Sequence, residues 1–384
     1  MSIHLFKTAK KLVTGINASE KLVEYIQQLN MTRVLILTDK GVLNSPAVNK
    51  IEKNLIENSI SYSIYSDITP EPEIEVVLKT KKFFDHDNFD GIVAIGGGSV
   101  IDTAKCVAIF GNTSEPLENL FGENKVKEKG LPLIVLPTTA GTGSEVTNIS
   151  ILSDTKNQVK KGIVSDYLLP DVAIVAPELT VSCPPSITAA SGIDALVHAI
   201  EAFISVNASP ITDALAIQAM TLIMKSLPVA YASPENMNAR EDLANGSLMA
   251  GLAFGNAGVG AVHALAYPLG GRFHMAHGVS NALLLPYVME FNKIACLDKF
   301  KIIAQCFEEP IEGCNSIQIA DKVIKRLHIL CEMVNIPAGL ESFGISKDVI
   351  PELAAEAIKV ERLLRNNPRK LNLKEIEQIY EAAY

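Results

Sequence analysis

The hydrophobic pattern of this chain changes character near residue 184, and that change constrains the fold more than any other feature. Before it, short apolar runs such as RVLILTD (33–39) and GIVAIG (91–96) alternate with helical stretches over 44–57 and 74–84. This alternation predicts a parallel sheet covered on both faces by helices. After Pro184 and Pro185 the strand pattern disappears, and segments with helical period run almost to Tyr384.

Two domains are therefore expected, because a chain of 384 residues is too long for one compact core. The first, over 1–183, is predicted to be a Rossmann-like α/β domain that binds a dinucleotide. Its strands should include SYSIYS, LPLIVLP and DVAIVAP. The second, over 184–384, is predicted to be all helical. Ligands are expected in a cleft between the domains, with the cofactor on the sheet side.

Composition excludes several classes of protein. Hydrophobic residues make up 48% of the chain and charged residues 20%, so a packed core is expected and disorder is not. A net charge of −9 argues against a nucleic-acid surface. Six cysteines without a CxxC pair predict reduced thiols, and the N-terminus lacks the apolar core of a signal peptide, so a cytoplasmic protein is expected.

One uncharged stretch, Ser247–Gly271, is long enough to span a bilayer. It contains Asn256 and His263 among many Gly and Ala residues, which favours close helix packing inside a soluble protein. No membrane contact is expected, with a transmembrane helix as the alternative.

Asp194 and His198 stand four residues apart in the helical run SITAASGIDALVHAIEAF, so their side chains project from one face of a helix and could bind one cation. His263 and His277 follow in VHALAYPLGGRFHMAHG. Three imidazoles and one carboxylate suit Fe²⁺, Zn²⁺, Co²⁺ or Ni²⁺ better than Mg²⁺ or Ca²⁺. The alternative is an ordinary helix-surface pair and two incidental histidines.

A glycine turn, defined by Gly96, Gly97, Gly98 and Ser99, follows the apolar strand GIVAIG and leads into a helix. Its backbone N–H groups and the helix dipole could receive a pyrophosphate. The turn is not GxGxxG, because Ile101 occupies the last glycine position. A turn with a purely structural role is therefore the alternative.

Six motifs resemble, in this order, those of the iron-containing (group III) alcohol dehydrogenases: GIVAIGGGSVIDTAK, PTTAGTGSEVT, GIDALVHAIEAF, VHALAYPLGG, HGVSNALLLP and NNPRK. The resemblance covers essentially the whole chain. That family, which includes lactaldehyde reductase and 1,3-propanediol dehydrogenase, has a dehydroquinate-synthase-like two-domain architecture. The resemblance implies a cytoplasmic homodimer that transfers hydride reversibly between NAD(H) and a small primary alcohol or diol and its aldehyde.

The same resemblance implies the metal ligands Asp194, His198, His263 and His277, with Fe²⁺ as the expected metal and Zn²⁺ as the other candidate. The chemistry needs no covalent nucleophile, since the metal would polarise the substrate oxygen while the nicotinamide takes or gives hydride.

For the cofactor, the resemblance implies that Asp39 contacts the adenosine ribose. A carboxylate there would accept two hydrogen bonds and repel a 2′-phosphate, which predicts NAD over NADP; a helix N-cap is the alternative for this residue. Thr138, Thr139 and Thr142 are expected to hydrogen-bond the cofactor. Lys160 aligns with a cofactor-contacting lysine, although a register slip to Lys161 or a solvated lysine pair is possible.

Tyr267 stands where many members of the family carry a histidine that relays protons. The relay cannot be an imidazole here, so a slower tyrosine relay or water is expected. Phe254 is expected to line the substrate pocket, with simple helix packing as its alternative. His274 is expected beside the ligands or on the cofactor side, not in the ligand set.

Two other functions stay open on the sequence. A lyase of the dehydroquinate-synthase type should have a basic pocket for a phosphorylated acid, but Lys and Arg are sparse around the metal motifs. A catalytically silent NAD-binding protein should have lost its metal ligands, and all four are present.

Overall fold

The computed structural model describes residues 3–384. It contains two compact units, one formed by Lys7–Cys183 and the other by Pro184–Tyr384 together with residues 3–6.

The α/β unit contains all the strands of the described residues. They are β1 Lys11–Thr14, β2 Arg33–Leu37, β3 Ser61–Tyr65, β4 Gly91–Gly96, β5 Gly122–Glu123, β6 Leu133–Pro137, β7 Ile149–Asp154, β8 Val159–Val164 and β9 Val172–Val175. Six of them form a parallel sheet in the order β1-β9-β6-β4-β2-β3. The other three form a small sheet in the order β5-β8-β7, in which β7 and β8 are antiparallel.

Helices occur in both units. Those of the α/β unit are α1 Leu22–Gln28, α2 Lys40–Leu43, α3 Pro46–Glu57, α4 Ile74–Phe84, α5 Gly98–Phe110 and α6 Leu117–Leu120. Those of the helical unit are α7 Pro185–Ile204, α8 Pro210–Ala232, α9 Met237–Ala257, α10 Ala261–Phe273, α11 His277–Asn292, α12 Leu297–Cys306, α13 Ser316–Met333, α14 Ile350–Ala357, α15 Glu361–Leu364 and α16 Leu373–Ala382.

The inner strands β4, β6 and β9 are apolar at every position, and β2 is apolar after Arg33, because both of their faces are buried. Ile36 and Val93 pack in one core with Ile26 of α1 and Leu55 of α3, while α4 and α5 pack against each other and α5 against β4 and β6. Among residues 3–384 no strand follows β9. The predicted fold class, a Rossmann-like parallel sheet followed by a helical half, is confirmed.

Four strands were not anticipated from the sequence. β1 lies at an edge of the large sheet and is mostly exposed, so it lacks a continuous apolar run. β8 has the sequence VKKGIV, in which two lysines interrupt the apolar pattern. β5 is only two residues long, and β7 has the sequence ISILSD, which has neither a continuous apolar run nor a strict alternation of polar and apolar residues.

Two helices, α7 and α8, are long and apolar enough by length and composition to cross a membrane. The apolar window of α7 is 83% buried within the protein and that of α8 is 44% buried. Most of the uncharged stretch Ser247–Gly271 lies in α9 and α10, which are bent by 101° at their junction. These helices therefore have protein partners for much of their apolar surface.

Candidate functional site

Helix α7 presents three acidic or basic side chains along one buried stripe. Asp194, His198 and Glu201 are separated by four and three residues, so they lie on the same face of the helix. All three residues are buried, with 2%, 4% and 2% of their surface exposed. Such groups are rarely buried without partners, so these residues mark a site. Their burial rules out the alternative that Asp194 and His198 are an ordinary helix-surface pair.

Two further histidines meet this stripe. His263 lies in the first turn of α10, and His277 is the first residue of α11. One ligand atom from each of Asp194, His198, His263 and His277, here named the metal quartet, lies within 4.8 Å of the others. The structure thus brings together all four side chains that the sequence analysis selected as ligands.

The arrangement of His263 tests whether a metal fits this quartet. Nδ1 of His263 lies 2.6 Å from Oε2 of Glu201, and its Nε2 lies 2.9 Å from Nε2 of His198. A carboxylate beside Nδ1 keeps the proton there, which leaves the Nε2 lone pair facing the second histidine. Two facing nitrogens this close need a shared proton or a cation between them. The donor set therefore fits a divalent transition metal.

The carboxylate of Asp194 is the acidic member of the quartet. Burial alone would raise its pKa, but the nearby His198, His277 and His263 and the amide of Asn281 lower it below its ordinary value. The side chain is therefore held as a carboxylate that can bind a cation.

Asn281 and Glu201 are contacts that the sequence analysis missed. Nδ2 of Asn281 donates to Oδ1 of Asp194 at 2.6 Å and lies 3.1 and 3.2 Å from Nε2 of His263 and His277. Its own Oδ1 is buried without a hydrogen-bond partner. Asn281 follows His277 by four residues, just as His198 follows Asp194. This helical spacing was the signal that could have identified it.

Two of the three remaining candidates of the helical unit lie beside the quartet. The ring of Phe254 stacks on His198 with the ring centroids 4.1 Å apart. The ring of Tyr267 lies 6.4 Å from that of His277. His274 is exposed at the end of α10 and lies outside the quartet.

The late NNPRK motif holds the α9–α10 junction that carries His263. Gly258 has a φ of 78°, and a Cβ there would lie 2.5 Å from Nδ2 of Asn366, so the close approach requires glycine. Nδ2 of Asn366 donates to the carbonyl of Val259 at 2.9 Å, and Oδ1 of Asn367 accepts from the backbone N–H of Ala261 at 3.3 Å.

The cofactor candidates of the α/β unit collect at one edge of the large sheet. Asp39 follows β2, the glycine turn begins at the last residue of β4 and Thr138 follows β6. These three parallel strands are neighbours, so their carboxyl ends lie side by side. Open α/β sheets bind ligands at this edge.

Asp39 has a structural role in addition to its predicted one. Its Oδ1 accepts from the backbone N–H groups of Gly41 and Val42 at 2.8 and 3.1 Å, so the residue caps α2. The N-cap weighed in the sequence analysis is therefore present.

The glycine turn packs directly against the segment after β6 that carries Thr138, Thr139 and Thr142, here named the threonine loop. A Cβ on Gly98 would lie 2.7 Å from the side chain of Thr142, and one on Gly97 would lie 3.3 Å from Oγ1 of Thr139. Ser99 accepts a hydrogen bond on Oγ from the backbone N–H of Glu71 at 3.0 Å.

A buried lysine holds the threonine loop. Nζ of Lys105 donates to Oγ of Ser144 at 2.8 Å and to the carbonyl of Ile149 at 2.7 Å. Oγ of Ser144 in turn donates to Asp102 at 2.5 Å. Burial lowers the pKa of Lys105 to about 8, against the opposing effect of Asp102 and Glu145. The sequence analysis did not select this network.

Lys160 and Lys161 lie side by side on β8 but have different partners. Nζ of Lys160 lies 2.6 Å from Oε2 of Glu71, whereas Nζ of Lys161 lies 2.7 Å from Oδ2 of Asp154. Through Glu71, only the first of these two ion pairs leads to Ser99. The geometry favours Lys160 over Lys161 as the residue associated with the glycine turn.

Comparison with known proteins gives matches over the whole chain. Residues 9–177 match the family described as iron-containing alcohol dehydrogenase, and residues 188–384 match the Fe-containing alcohol dehydrogenase family, C-terminal. The chain is 43% identical over 374 residues to long-chain-alcohol dehydrogenase 1 of Geobacillus thermodenitrificans, covering 96% of this chain and 94% of that protein.

Solved structures also match this chain over its full length. A crystal structure of 1,3-propanediol oxidoreductase superposes with a TM-score of 0.97 at 38% identity and covers 100% of both chains. The sulfoacetaldehyde reductase from Bifidobacterium kashiwanohense, solved in complex with NAD⁺, gives a TM-score of 0.89 at 30% identity over 100% of this chain and 99% of that chain.

Proposed function

The chain belongs to the iron-containing alcohol dehydrogenase family and is an alcohol or aldehyde oxidoreductase; we propose that it transfers hydride reversibly between NAD(H) and a small primary alcohol or diol and the matching aldehyde. The observation that carries this proposal is the metal quartet, in which three residues are buried and all four ligand atoms lie within 4.8 Å of one another. We also propose, from the family, a homodimer in the cytoplasm.

Asp194, His198, His263 and His277 would hold a divalent transition metal, for which we propose Fe²⁺ with Zn²⁺ as the other candidate. When bound, that metal supplies Lewis acidity toward a hydroxyl or carbonyl oxygen, while the nicotinamide accepts or supplies hydride. Glu201 fixes the tautomer of His263 through the 2.6 Å contact to Nδ1, so that Nε2 stays available as a ligand.

Two residues near the quartet would act on the substrate. Phe254, stacked on His198, would form an apolar wall that excludes water and orients the carbon chain. Tyr267, whose ring lies 6.4 Å from that of His277, would be a protein group that can hold or pass a hydroxyl proton. A phenol is a poor proton acceptor at neutral pH, which leaves water as the main route for the proton.

The α/β unit would hold NAD at the carboxyl edge of its sheet. Backbone N–H groups of Gly97, Gly98 and Ser99 at the start of α5 suit a pyrophosphate. Thr138, Thr139 and Thr142 would supply hydroxyls, Lys160 would supply a positive charge, and Asp39 would accept from the adenosine ribose. An NAD⁺ complex of a relative with the same fold supports NAD as the cofactor.

A screen of alcohols tests the proposal. Metal-free protein would be reloaded separately with Fe²⁺ and Zn²⁺, and NAD⁺ reduction followed with short alcohols, short diols and a long-chain alcohol; sulfoacetaldehyde would be tested with NADH. We expect turnover that requires both metal and NAD⁺ and is greatest on a small alcohol or diol. Absence of turnover in both directions with either metal would overturn it.

A further inference from the structure

Glu71 connects two of the proposed cofactor contacts. Its backbone N–H donates to Oγ of Ser99 in the first turn of α5 at 3.0 Å, and its Oε2 lies 2.6 Å from Nζ of Lys160. Its φ of 51° is unusual for a residue with a side chain. Such a conformation persists where surrounding contacts hold it, and it is often found at functional sites.

The surrounding contacts are specific. Oγ of Ser153 donates to the carbonyl of Glu71 at 3.2 Å, and Nζ of Lys160 also donates to that hydroxyl at 2.7 Å. The side chains of Lys160 and Glu71 are 11% and 29% exposed. A partly buried pair interacts more strongly than an exposed one, because less water screens the charges.

The charges at this position have opposite consequences for a dinucleotide. A pyrophosphate at the start of α5 would be attracted by the ammonium group of Lys160. The carboxylate of Glu71 already neutralises that group and would compete with the phosphate for it. We propose that Glu71 is a counter-ion that masks Lys160 and thereby lowers the affinity of the protein for NAD(H). The proposal rests on the NAD-dependent function proposed above.

This role predicts opposite effects for the two partners of one ion pair. Glu71→Gln should tighten NADH binding, because it removes the competing charge and keeps an oxygen for Nζ. Lys160→Met should weaken binding, because it removes the cation itself. A pair that only supports the local fold would weaken binding when either partner is changed.

The adjacent ion pair provides a matched control. Lys161 and Asp154 are also joined across the β7–β8 hairpin, with Nζ and Oδ2 2.7 Å apart. Adjacent residues of a strand point to opposite faces, so this pair lies on the other side of the small sheet. Lys161→Met therefore makes the same change of charge on the same strand as Lys160→Met, and Asp154→Asn removes the same charge from the partner of the control lysine.

The measurement is the Kd for NADH, obtained by titrating its fluorescence at low and high ionic strength. We expect Glu71→Gln to lower Kd about 3- to 10-fold at low ionic strength and Lys160→Met to raise it by a similar factor, as for a coupling of about 1 kcal/mol. The control variants should stay within about twofold of the wild type. Salt should reduce the gain of Glu71→Gln.

A double variant separates masking from direct repulsion of the phosphate. If Glu71 acts through Lys160, Glu71→Gln should have no effect in the Lys160→Met background. Tighter binding in that background, or weaker binding by Glu71→Gln alone, would overturn the inference. Wild-type protein that binds no NADH would overturn the proposed function as well, whereas wild-type binding that Glu71→Gln leaves unchanged would overturn this inference alone.

Discussion

The metal quartet and the glycine turn use different parts of the polypeptide. In the helical unit the identity of side chains defines the site, since four ligand atoms from three helices lie within 4.8 Å of one another. In the α/β unit most proposed contacts are backbone N–H groups and hydroxyls at the ends of three strands. The charged side chains there already have protein partners, as Asp39 caps α2 and Lys160 pairs with Glu71.

Substitutions should therefore have different effects at the metal quartet and at the glycine turn. Removing a ligand side chain should change the chemistry and leave the backbone in place. Adding a side chain to the turn should change the space that the cofactor occupies. We therefore expect the two regions to fail separately, one through loss of metal and the other through loss of nucleotide.

Among the substitutions that distinguish the two regions, His277→Ala should have the largest effect. His277 is the most exposed of the four ligands, with 36% of its side chain accessible, so its loss should disturb the fold least. We expect metal content to fall and turnover to drop by about 10³-fold or more, because several kcal/mol of Lewis-acid assistance is lost. NADH binding should stay nearly intact. Metal analysis and kinetics check this, and full metal content with normal turnover would refute the quartet.

Glu201→Gln tests a residue that contacts the ligand His263 and is not itself a member of the metal quartet. Glutamine keeps the size of the side chain but cannot hold the Nδ1 proton of His263 as a carboxylate does. We expect metal affinity to fall about 10- to 100-fold. Competition with a chelator measures it. His277→Ala serves as the reference for complete loss, and an unchanged affinity would show that Glu201 does not tune the ligand.

Gly98→Ala tests the turn by shape alone. A Cβ at Gly98 would lie 2.7 Å from Thr142, whereas one at Gly97 would lie 3.3 Å from Thr139. We expect Gly98→Ala to weaken NADH binding by about tenfold, an overpacking cost of about 1–3 kcal/mol. Gly97→Ala is the milder control. Equal effects of the two variants in fluorescence titration would contradict the role of close packing.

Asp39→Asn separates the effect of the Asp39 charge from the effect of the hydrogen bonds by which its side chain caps α2. Asparagine can accept from the same two backbone N–H groups, so the thermal melting temperature should not change. Discrimination against NADP should fall by about 1–2 kcal/mol, or roughly 5- to 30-fold in kcat/KM. Equal use of NADP and NAD by the wild type would show that Asp39 does not read the ribose.

Tyr267→His should give the smallest effect. A histidine of ordinary pKa can accept protons near neutral pH, so alcohol oxidation should rise by about a few-fold there. The gain should shrink at alkaline pH. Tyr267→Phe keeps the ring and removes the hydroxyl. If both variants keep the wild-type pH–rate profile, position 267 only shapes the pocket.

The sequence predicted the parts of this molecule that local pattern determines. The strand at Arg33–Leu37, the helix at Ile74–Phe84 and the glycine turn all follow from apolar spacing and glycine content. The i,i+4 spacing identified Asp194 and His198, and the family motifs added His263 and His277. These four residues come from three helices, α7, α10 and α11, so spacing within one helix could not have brought all of them together.

Other features depend on tertiary contacts that no local pattern contains. The choice between Lys160 and Lys161 depends on which face of β8 each side chain occupies. The sequence analysis did not identify β8 as a strand. The orphaned oxygen of Asn281 and the carboxylate beside Nδ1 of His263 are known only once α7, α10 and α11 are packed. Tautomers and amide partners are therefore the part of the site that needed coordinates.

The pair Asn366 and Asn367 gives the site an order of assembly. Asn367 accepts from Ala261 across 106 residues, and Asn366 donates to Val259 across 107. During synthesis α7, α10 and α11 leave the ribosome long before Asn366 and Asn367 do. The bend that carries His263 therefore lacks these two hydrogen bonds until residues near 366 emerge. A chain truncated just before that motif would therefore lack both hydrogen bonds while keeping all four ligands.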